Sequence, residues 1–189
     1  MSQDRLPPLP AAELSAAQQA AAEAFAATRD GRPPFGPYVP LLRSPETMLR
    51  VAALGKHLRY DSAMPRRLNE FAILLTAREW SQQYEWHHHR RHALEAGLEP
   101  KLIAAVAEGR RPDGMSADEA LVYDFCLELH RRRAVSDATY AKALARFGAQ
   151  ALVDLVGVNG FYSMLAMVLN VARTALPEGA APELALFPG

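Results

Sequence analysis

Residues 68–92 read Leu68-Asn-Glu-Phe-Ala-Ile-Leu-Leu-Thr-Ala-Arg-Glu-Trp-Ser-Gln-Gln-Tyr-Glu-Trp-His-His-His-Arg-Arg-His92. Glu70 is followed by Ile73, Leu74 and Ala77 at spacings of three, four and seven residues, which places all four on one face of an α-helix. Because this face is otherwise apolar, we expect Glu70 to point into the core. A buried carboxyl group needs a partner, and the following helix offers candidates.

The second predicted helix of this stretch carries Glu85 and His89, which are four residues apart and therefore one turn from each other. A turn at Trp80-Ser81, with Ser81 capping the second helix, would fold the two helices into a hairpin. The hairpin would bring Glu70 towards Glu85 and His89. Since a desolvated carboxyl group has a raised pKa and an imidazole can relay its proton, the pattern predicts an acid/base site.

An alternative interpretation of Glu70 stays open. A glutamate on an apolar stripe is often a structural residue at the edge of the core, here paired with Arg66, Arg67 or Arg78. The hairpin favours the acid/base interpretation, because it adds a Glu/His pair to the surroundings of Glu70.

The four histidines of this stretch also allow a metal site. Consecutive helical residues point about 100° apart, so the run His87–His89 cannot chelate a single ion. Glu85, His89 and His92 do share a face and would supply three ligands to zinc or iron. We therefore keep a metal-dependent variant as an alternative, whereas the main prediction includes neither a metal nor a cofactor.

Further residues are candidates for binding a substrate. Tyr84 lies beside Glu85 and would supply an apolar wall, although such aromatic residues more often pack in cores or interfaces. Asn159 and Tyr162 belong to a small, polar stripe in the apolar last helix, which suits either pocket lining or close helix packing. His88 suits either the surface or a subunit contact.

The remaining sequence is typical of an all-α protein. Four prolines between Arg32 and Leu42 predict an extended loop, and Ser116 with Glu119 fits a capping box. No segment alternates as a strand does. Cap and breaker residues predict helices at 11–27, 44–57, 65–80, 81–97, 100–108, 116–132, 136–147 (closed by Gly148) and 150–176.

Composition narrows the class of protein. Half of the residues are hydrophobic, 22% are charged and the formal net charge is zero, so nothing global attracts nucleic acid or an anionic membrane. Cys126 is the only cysteine, which excludes an intrachain disulfide and a CxxC pair and fits a reducing compartment. The N-terminal residues lack the basic start and apolar core of a signal peptide, and residues 151–172 are interrupted by polar groups. We therefore expect a cytoplasmic protein.

Several segments together resemble the carboxymuconolactone decarboxylase family of the alkylhydroperoxidase D-like superfamily. The resemblance covers about residues 34–177 and divides the chain into an N-terminal helix and Pro-rich arm (1–43), a helical domain (44–177) and a C-terminal tail (178–189). The segments that carry it are Arg67-Leu-Asn-Glu-Phe-Ala-Ile-Leu74, Tyr84-Glu-Trp86, His89, Ala96-Gly-Leu98, Phe35-Gly-Pro37, Leu41-Leu-Arg-Ser-Pro45, Gly157-Val-Asn-Gly-Phe-Tyr162 and Met167-Val-Leu-Asn170.

The resemblance implies an alkylhydroperoxidase D-like helical bundle with a central helical hairpin, assembled as a homotrimer or homohexamer. In the thiol-peroxidase branch a glutamate and a histidine, matched by Glu70 and His89, accompany a CxxC pair. Gln82 and Glu85 stand at the two cysteine positions, so thiol peroxidase chemistry is disfavoured. The decarboxylase branch implies acid/base residues that work without a cofactor on a lactone bearing a carboxylate.

The sequence thus predicts a cofactor-independent, lyase-like enzyme that transfers protons on a small carboxylated or lactone-like compound. In this hypothesis His89 is the general acid/base, Glu85 orients or polarises it or binds substrate, and Glu70 is a buried proton reservoir. A non-catalytic oligomer that binds a small acid or a protein partner is the alternative from another class. The expected substrate-binding residues are Tyr84, His92, Asn159 and Tyr162.

The last helix also predicts self-association. A helix that is apolar nearly all round should be buried on several sides, and a domain of this size can surround few helices completely. We therefore expect a homotrimer or homohexamer rather than a monomer. The apolar residues that spread around this helix are Leu155, Val158, Phe161, Leu165, Val168 and Leu169.

Overall fold

The computed structural model describes residues 4–185, and within this range the chain is helical without a strand. The all-α prediction is confirmed; residues 1–3 of the predicted arm and 186–189 of the predicted tail lie outside the described residues. A 3₁₀ turn at Ala11–Glu13 precedes α1, and a π-helical turn at His57–Asp61 continues α3. The helices are α1 Ala16–Ala27, α2 Tyr38–Leu41, α3 Pro45–Lys56, α4 Arg66–Glu79, α5 Gln83–Glu95, α6 Pro100–Ala107, α7 Ala117–Arg132 and α8 Asp137–Ala172.

Local sequence signals account for most helix ends. Ser116 accepts a hydrogen bond from the backbone N–H of Glu119, whose side chain accepts one from the backbone N–H of Ser116. The predicted capping box of α7 is therefore confirmed. Pro45 occupies the first turn of α3, where the missing N–H costs no helical hydrogen bond. Gly148 takes φ 82° and interrupts α8 where the sequence predicted a break between two helices.

Several predicted boundaries are wrong. The first α-helix begins at Ala16, after its cap residue Ser15, rather than at Ala11. The prolines between Arg32 and Leu42 do not keep the whole segment extended, because α2 forms at its end. Pro37 caps this helix and Pro40 lies in its first turn, where backbone N–H groups have no helical acceptor, so neither ring removes a hydrogen bond. The last helix ends at Ala172 rather than at residue 176, since Arg173 adopts a left-handed conformation.

Helix α4 is the central element of the fold. Every residue from Leu68 to Arg78 is buried, and the helix packs against α5, α6, α7 and α8. Helices α4 and α5 form the predicted hairpin, with a turn in which Ser81 has φ 47°. Gln82, rather than the predicted Ser81, caps α5, because its side-chain oxygen accepts a hydrogen bond from the N–H of Tyr84 at 2.6 Å. The hairpin therefore carries the two sets of candidate residues on adjacent helices.

Helix α8 is the longest helix and packs against the central helix α4. By length and composition alone it is the one described helix that is long and apolar enough to cross a membrane. Of its most apolar stretch, 56% is buried inside the structure, and core helices of soluble proteins pass the same test. Leu155, Val158 and Tyr162 are among its buried residues, and the helix packs against α4 and α7.

The C-terminal tail lies along the outside of α5. The side-chain oxygen of Gln83 accepts hydrogen bonds from the N–H groups of Glu183 and Leu184 at 3.0 Å, and its amide donates to the carbonyl of Leu184 at 2.6 Å. The carboxylate of Glu183 also lies 3.3 Å from Nε of Arg90. The tail thus holds the outer face of the helix whose inner face carries Glu85 and His89.

Candidate active site

Glu70 and His89 form a buried pair between α4 and α5. Nδ1 of His89 lies 2.7 Å from Oε2 of Glu70, and the two side chains are only 6% and 5% exposed, respectively. The antiparallel hairpin creates this contact, since the residues are 19 positions apart in the chain. The predicted approach of Glu70 to His89 is therefore present in the structure.

Arg59 adds a positive charge beside this pair. Its Nη2 lies 3.9 Å from Oε1 of Glu70. The π-helical turn that carries Arg59 is held at its centre by Asn69, whose amide donates to a carbonyl of the turn at 2.7 Å. Beyond the turn, the carboxylate of Asp154 accepts a hydrogen bond from the N–H of Ala63 at 2.8 Å. These contacts fix Arg59 against Glu70, and π turns of this kind are frequent at functional sites.

Burial and charge set the protonation of the Glu70–His89 pair. Burial alone would raise the pKa of Glu70, but the hydrogen bond from His89 and the positive charge of Arg59 lower that pKa overall. Burial lowers the pKa of His89 and outweighs the attraction of Glu70. At neutral pH Glu70 is therefore a carboxylate that accepts the Nδ1–H of a neutral His89. The lone pair of the second ring nitrogen, Nε2, is left for a bound molecule.

Glu85 lies one turn before His89 on α5 and has the opposite character. The residue is 3% exposed, and neither carboxyl oxygen has a hydrogen-bond partner among the described residues. Burial raises the pKa of Glu85 well above its usual value. A carboxyl group in this setting keeps its proton at neutral pH, because burying an unpaired charge costs far more than burying the acid.

Tyr162 of α8 completes this group of buried polar side chains. Its ring stands edge-on to the ring of His89, with centroids 4.9 Å apart. Burial raises the pKa of Tyr162 well above its usual value, with Arg59 opposing and Glu70 and Glu85 adding to the shift. Tyr162 is therefore a neutral phenol, and it lines the same cavity as Arg59 and Glu85.

A cavity of about 420 Å³ joins these residues. Its volume suits a small organic molecule, and its walls combine aromatic rings with polar groups. The residues that line it are Thr28, Arg29, Asp30, Arg32, Phe35, Pro37, Tyr38, Gly55, Lys56, Arg59, Tyr60, Tyr84, Glu85, His88, His89, Arg91, His92, Phe161, Tyr162 and Leu165.

The cavity is electropositive although the protein as a whole has no net charge. The carboxylic acids in its lining are Asp30 and Glu85, and Glu85 is neutral. Arg59 lies deepest among the cations, 20% exposed, and its Nε is buried without a hydrogen-bond partner. A bound anion would satisfy that N–H group. The five cationic lining residues are Arg29, Arg32, Lys56, Arg59 and Arg91.

The Pro-rich arm supplies one wall of the cavity. Gly36 has φ 53°, and a Cβ at this position would lie 2.7 Å from Cε1 of Tyr84. The arm therefore packs directly on α5 only because this residue has no side chain. Phe35, the preceding residue, faces the imidazole of His88 with ring centroids 6.4 Å apart. Residues of the predicted N-terminal arm and of the helical domain thus share one cavity.

The structure brings most of the predicted site residues together. Glu85, His89, Tyr84, His92 and Tyr162 all line the cavity, and Glu70 lies directly behind His89.

Asn159 is placed elsewhere. Its amide donates to the carbonyl of Leu155 at 2.7 Å and contacts Sγ of Cys126 at 3.4 Å, inside the core and outside the cavity lining. This side chain is already engaged within the protein, so we leave it out of the substrate-binding set proposed below.

The alternative interpretation, in which Glu70 is a structural residue paired with Arg66, Arg67 or Arg78, is wrong about the arginine. Arg66 pairs with Glu95, and Arg67 pairs with Glu119. Arg78 donates to the carbonyl of Ala185 at 2.7 Å. Instead of these, the cation nearest to Glu70 is Arg59, which precedes α4 in the chain.

Arg59 and His88 are two candidate functional residues among the cavity residues that the sequence interpretation missed. A signal for Arg59 was present, because it continues the buried face of α3 that carries Met48, Ala52 and Gly55. The π turn hid it, since the predicted helix stopped at about residue 57.

His88 also had a signal. It shares a helical face with Tyr84 and His92, four residues to either side, both of which were predicted to bind substrate. Burial lowers the pKa of His88 to about 3, with His89 and Arg59 contributing, so its imidazole is neutral. We therefore count His88 as a neutral polar group of the cavity wall and not as a surface residue.

The histidines of α5 do not form an evident metal site. Within residues 4–185, no group of three His, Cys, Asp or Glu side chains is arranged to hold one metal ion. Glu85, His89 and His92 line the same cavity but are not gathered as a ligand set. Nδ1 of His89 is also engaged by Glu70, and that of His92 lies 3.1 Å from Glu95.

The single cysteine lies outside the site. Cys126 is fully buried in the core, and burial raises the pKa of its thiol to about 12. Gln82, at the first of the two positions where the thiol-peroxidase pattern has cysteine, caps α5 and donates to Asn170 at 2.8 Å. A thiolate nucleophile is therefore available neither at the cavity nor in the core.

Comparisons of the chain with models of protein families, with curated proteins and with solved structures gave no match. The geometry of the cavity is therefore the basis for the function proposed below.

Proposed function

We propose that this protein is a cofactor-independent enzyme that transfers protons on a small carboxylated or lactone-like compound. The observation that carries the proposal is the pairing of opposites in one cavity: Glu85 is a neutral acid and His89, one helical turn away, is a neutral base. Two titratable groups whose surroundings push them into complementary protonation states are the usual equipment of acid/base catalysis.

The roles that the geometry supports differ from those expected from the sequence. Glu70 orients His89, because its carboxylate accepts the Nδ1–H and leaves Nε2 as the base. Glu85, which was expected to orient the imidazole, has no hydrogen bond to it and is the better proton donor. Glu70 is ionised, so it is not a proton reservoir at neutral pH. The proposed proton donor is therefore Glu85 and the proposed orienting group is Glu70, whereas the sequence suggested the opposite assignment.

The charge of the cavity supports an anionic substrate. Arg59 has an unpaired buried Nε, and its positive charge is only partly offset by Glu70 at 3.9 Å. A guanidinium binds a carboxylate well because its planar donors match the two oxygens. We propose that Arg59 anchors the substrate carboxylate, while Tyr84, His88, His92 and Tyr162 surround the rest of the molecule.

Decarboxylation is the reaction that the family resemblance adds to this picture. The C–C bond to a carboxylate breaks, carbon dioxide leaves, and the electron pair moves to a neighbouring carbonyl. The carbon then takes a proton, which the neutral carboxylic acid Glu85 of the cavity would donate. Isomerisation uses the same two residues, with His89 taking a proton from one carbon before a proton is returned at another.

The test is a turnover screen on small lactone acids and keto acids, with carbon dioxide release and proton exchange in D₂O as readouts. We expect Glu85→Gln and His89→Asn each to lower turnover by about 10²–10⁴-fold. His87→Asn is the matched control, since His87 neighbours these residues on α5 but lies outside the cavity lining. Full turnover in both site variants would overturn the proposal, and tight binding without any turnover would favour the non-catalytic alternative.

We also propose that the protein is a homo-oligomer, with a trimer or hexamer favoured. The apolar residues from which this was predicted are mostly buried inside the chain, but other apolar residues of α8 are exposed. Val153 is 71% exposed and Val171 is 63% exposed, and Val156 and Met167 between them are each 47% exposed. Light scattering at micromolar concentration tests the proposal, because the 20.7 kDa mass of one chain would refute it.

A further inference from the structure

We propose that Glu85 and Tyr162 form an oxyanion-binding pair, and that the cavity binds phenolates and enolates. The inference rests on the proposed function and narrows it from proton transfer in general to reactions that pass through an enolate. It concerns a part of the site that acid/base roles alone leave unexplained: two neutral donors where a single proton donor would be enough.

The first observation is that both donors lack a partner in the protein. Both carboxyl oxygens of Glu85 are buried without a hydrogen bond, and none of the hydrogen bonds among the described residues involves the Tyr162 hydroxyl. Both residues line the cavity and are almost fully buried, at 3% and 2% exposed. Since buried polar groups are nearly always hydrogen-bonded, the carboxyl group of Glu85 calls for a partner, and an oxygen atom bound in the cavity would accept hydrogen bonds from both Glu85 and Tyr162.

The second observation is the charge around the pair. The groups that act on Tyr162 are the cation Arg59, the carboxylate Glu70, the neutral acid Glu85 and the phenol Tyr38. Arg59 offsets Glu70, so a single negative charge on a ligand oxygen would not meet an uncompensated anion. Both donors keep their protons at neutral pH, because burial raises the pKa of each. Preorganised donors in a water-poor site stabilise a developing oxyanion more strongly than water does.

The third observation is the position of the base. The ring of His89 meets the ring of Tyr162 edge-on at 4.9 Å, and Glu85 lies one turn away on the same helix. A carbonyl oxygen bound by the pair would therefore place its neighbouring carbon within reach of the imidazole. Nε2 would take the proton from that carbon, the electron pair would form a C=C bond, and the negative charge would move to the oxygen held by Glu85 and Tyr162.

The walls of the cavity favour a flat molecule of this type. Phe161 and Leu165 lie on α8 close to Tyr162, and Phe35 of the arm lines the same cavity. Enolates are planar, and phenolates are stable molecules with the same planar C–O⁻ group. A phenol therefore serves as a probe of the site even though the substrate is unidentified.

The test is an absorbance titration of the full-length protein with 4-nitrophenol, whose phenol and phenolate forms have different spectra. We expect the bound molecule to be the phenolate at a pH where most of the free compound is still the phenol. 4-Nitroanisole, which cannot ionise, is the matched ligand and should bind more weakly. Binding of the neutral phenol only, or equal binding of the two compounds, would overturn the inference.

Variants separate the two donors from the rest of the cavity. Tyr162→Phe removes one hydroxyl and Glu85→Leu removes the acid, and each should weaken phenolate binding by about ten- to a hundredfold, the range for hydrogen bonds to a charged group. Tyr140→Phe is the control, because Tyr140 lies on α8, 49% exposed and outside the cavity lining. Thermal melting checks that each variant is folded. Unchanged phenolate affinity in folded Tyr162→Phe would overturn the role of this residue and of the pair.

The two proposals fail independently. If His89→Asn and Glu85→Gln lose turnover but the wild-type protein does not bind the phenolate, the proposal of an enzyme stands and the oxyanion-binding pair is refuted. If phenolate binding depends on Tyr162 but the protein turns over none of the acids, the oxyanion-binding pair stands and the proposal of an enzyme is refuted.

Discussion

Glu70 and Glu119 are both buried glutamates that pair with a basic residue of another helix, and they do different things. The side chain of Glu119, 4% exposed, accepts hydrogen bonds from the backbone of Ser116 and from the guanidinium of Arg67. Glu70, 5% exposed, accepts the Nδ1–H of His89, an imidazole that can gain or lose a proton and that borders the cavity. The carboxylate of Glu119 is paired with groups that keep their protonation state, whereas the partner of Glu70 can change its charge by gaining or losing a proton.

The comparison shows that burial of a carboxyl group does not by itself indicate function. Glu119 ends a capping box and holds α7 to α4, and nothing about it requires a ligand. Glu70 differs in its partner and in the access of that partner to a cavity. Glu85 is the extreme case, since its carboxyl group has no hydrogen-bond partner among residues 4–185 and therefore has the least structural reason to be a glutamate.

The largest effect should come from replacing the orienting carboxylate. In Glu70→Gln the side-chain amide can donate to Nδ1, which places the proton on Nε2 and leaves the wrong tautomer for a base. We expect turnover to fall by about 10²–10⁴-fold, with the fold retained. The measurement is kcat on an identified substrate. Turnover unchanged in a folded variant would mean that the Glu70–His89 pair is structural, like Glu119 with Arg67.

A smaller effect is expected at Glu85, where a substitution should increase the stability of the fold. Replacing this unpaired acid by an apolar residue of similar size, Glu85→Met, removes a desolvation cost of about 1–3 kcal/mol. We therefore expect the variant to unfold at higher urea concentration than the wild type while losing activity. A less stable Glu85→Met protein would show that the carboxyl group has a stabilising partner.

The pH dependence sharpens this test. Burial raises the pKa of Glu85 in the folded protein. Below about pH 4.3, the usual pKa of glutamic acid, folded and unfolded chains both keep the proton. As the pH rises above this value the unfolded chain loses its proton and the folded chain does not, so wild-type stability falls until the raised pKa is reached. The stability advantage of Glu85→Met should therefore grow as the pH rises above about 4.3, until the raised pKa of Glu85 is reached. Glu85→Gln is the control for ionisation and should remove the same pH dependence.

The smallest effect is expected at Glu119. Glu119→Ala removes one half of the capping box and the partner of Arg67, whose side chain is 36% exposed, so the loss should be about 1 kcal/mol of unfolding free energy. Activity per folded molecule should stay unchanged, because Glu119 is remote from the cavity lining. Glu119→Gln keeps the capping hydrogen bond and should lose less. A loss of kcat in Glu119→Ala would contradict the contrast drawn between the two carboxylates.

Much of the fold could be predicted because it follows from local rules. The capping box at Ser116, the break at Gly148 and the hairpin between α4 and α5 depend on residues that are neighbours in the chain. The convergence of Glu70 and His89 followed from the hairpin alone. Asn159 was misplaced because its helical stripe is equally suited to close packing and to a pocket, and only its contacts with Cys126 and Leu155 distinguish the two.

The rest of the site depends on contacts between distant segments. Arg59 reaches Glu70 through a π turn held by Asn69 and Asp154, and no local pattern predicts such a turn. The wall formed by Phe35 depends on the packing of Gly36 against Tyr84. These contacts also determine protonation, since the pKa of a group depends on what surrounds it.

The sequence by itself determined an all-helical chain, the helical hairpin and the pairing of one carboxylate with one imidazole across it. These features follow from the 3.6-residue period, from caps and from the short turn that joins α4 to α5. The tertiary structure decided that Glu70 is an ionised carboxylate beside His89 and that Glu85 is a buried neutral acid, which led us to propose roles for the two glutamates other than those expected from the sequence. The physical reason is desolvation: two glutamates with the same intrinsic pKa differ because one is buried beside His89 and Arg59 and the other is buried without a partner.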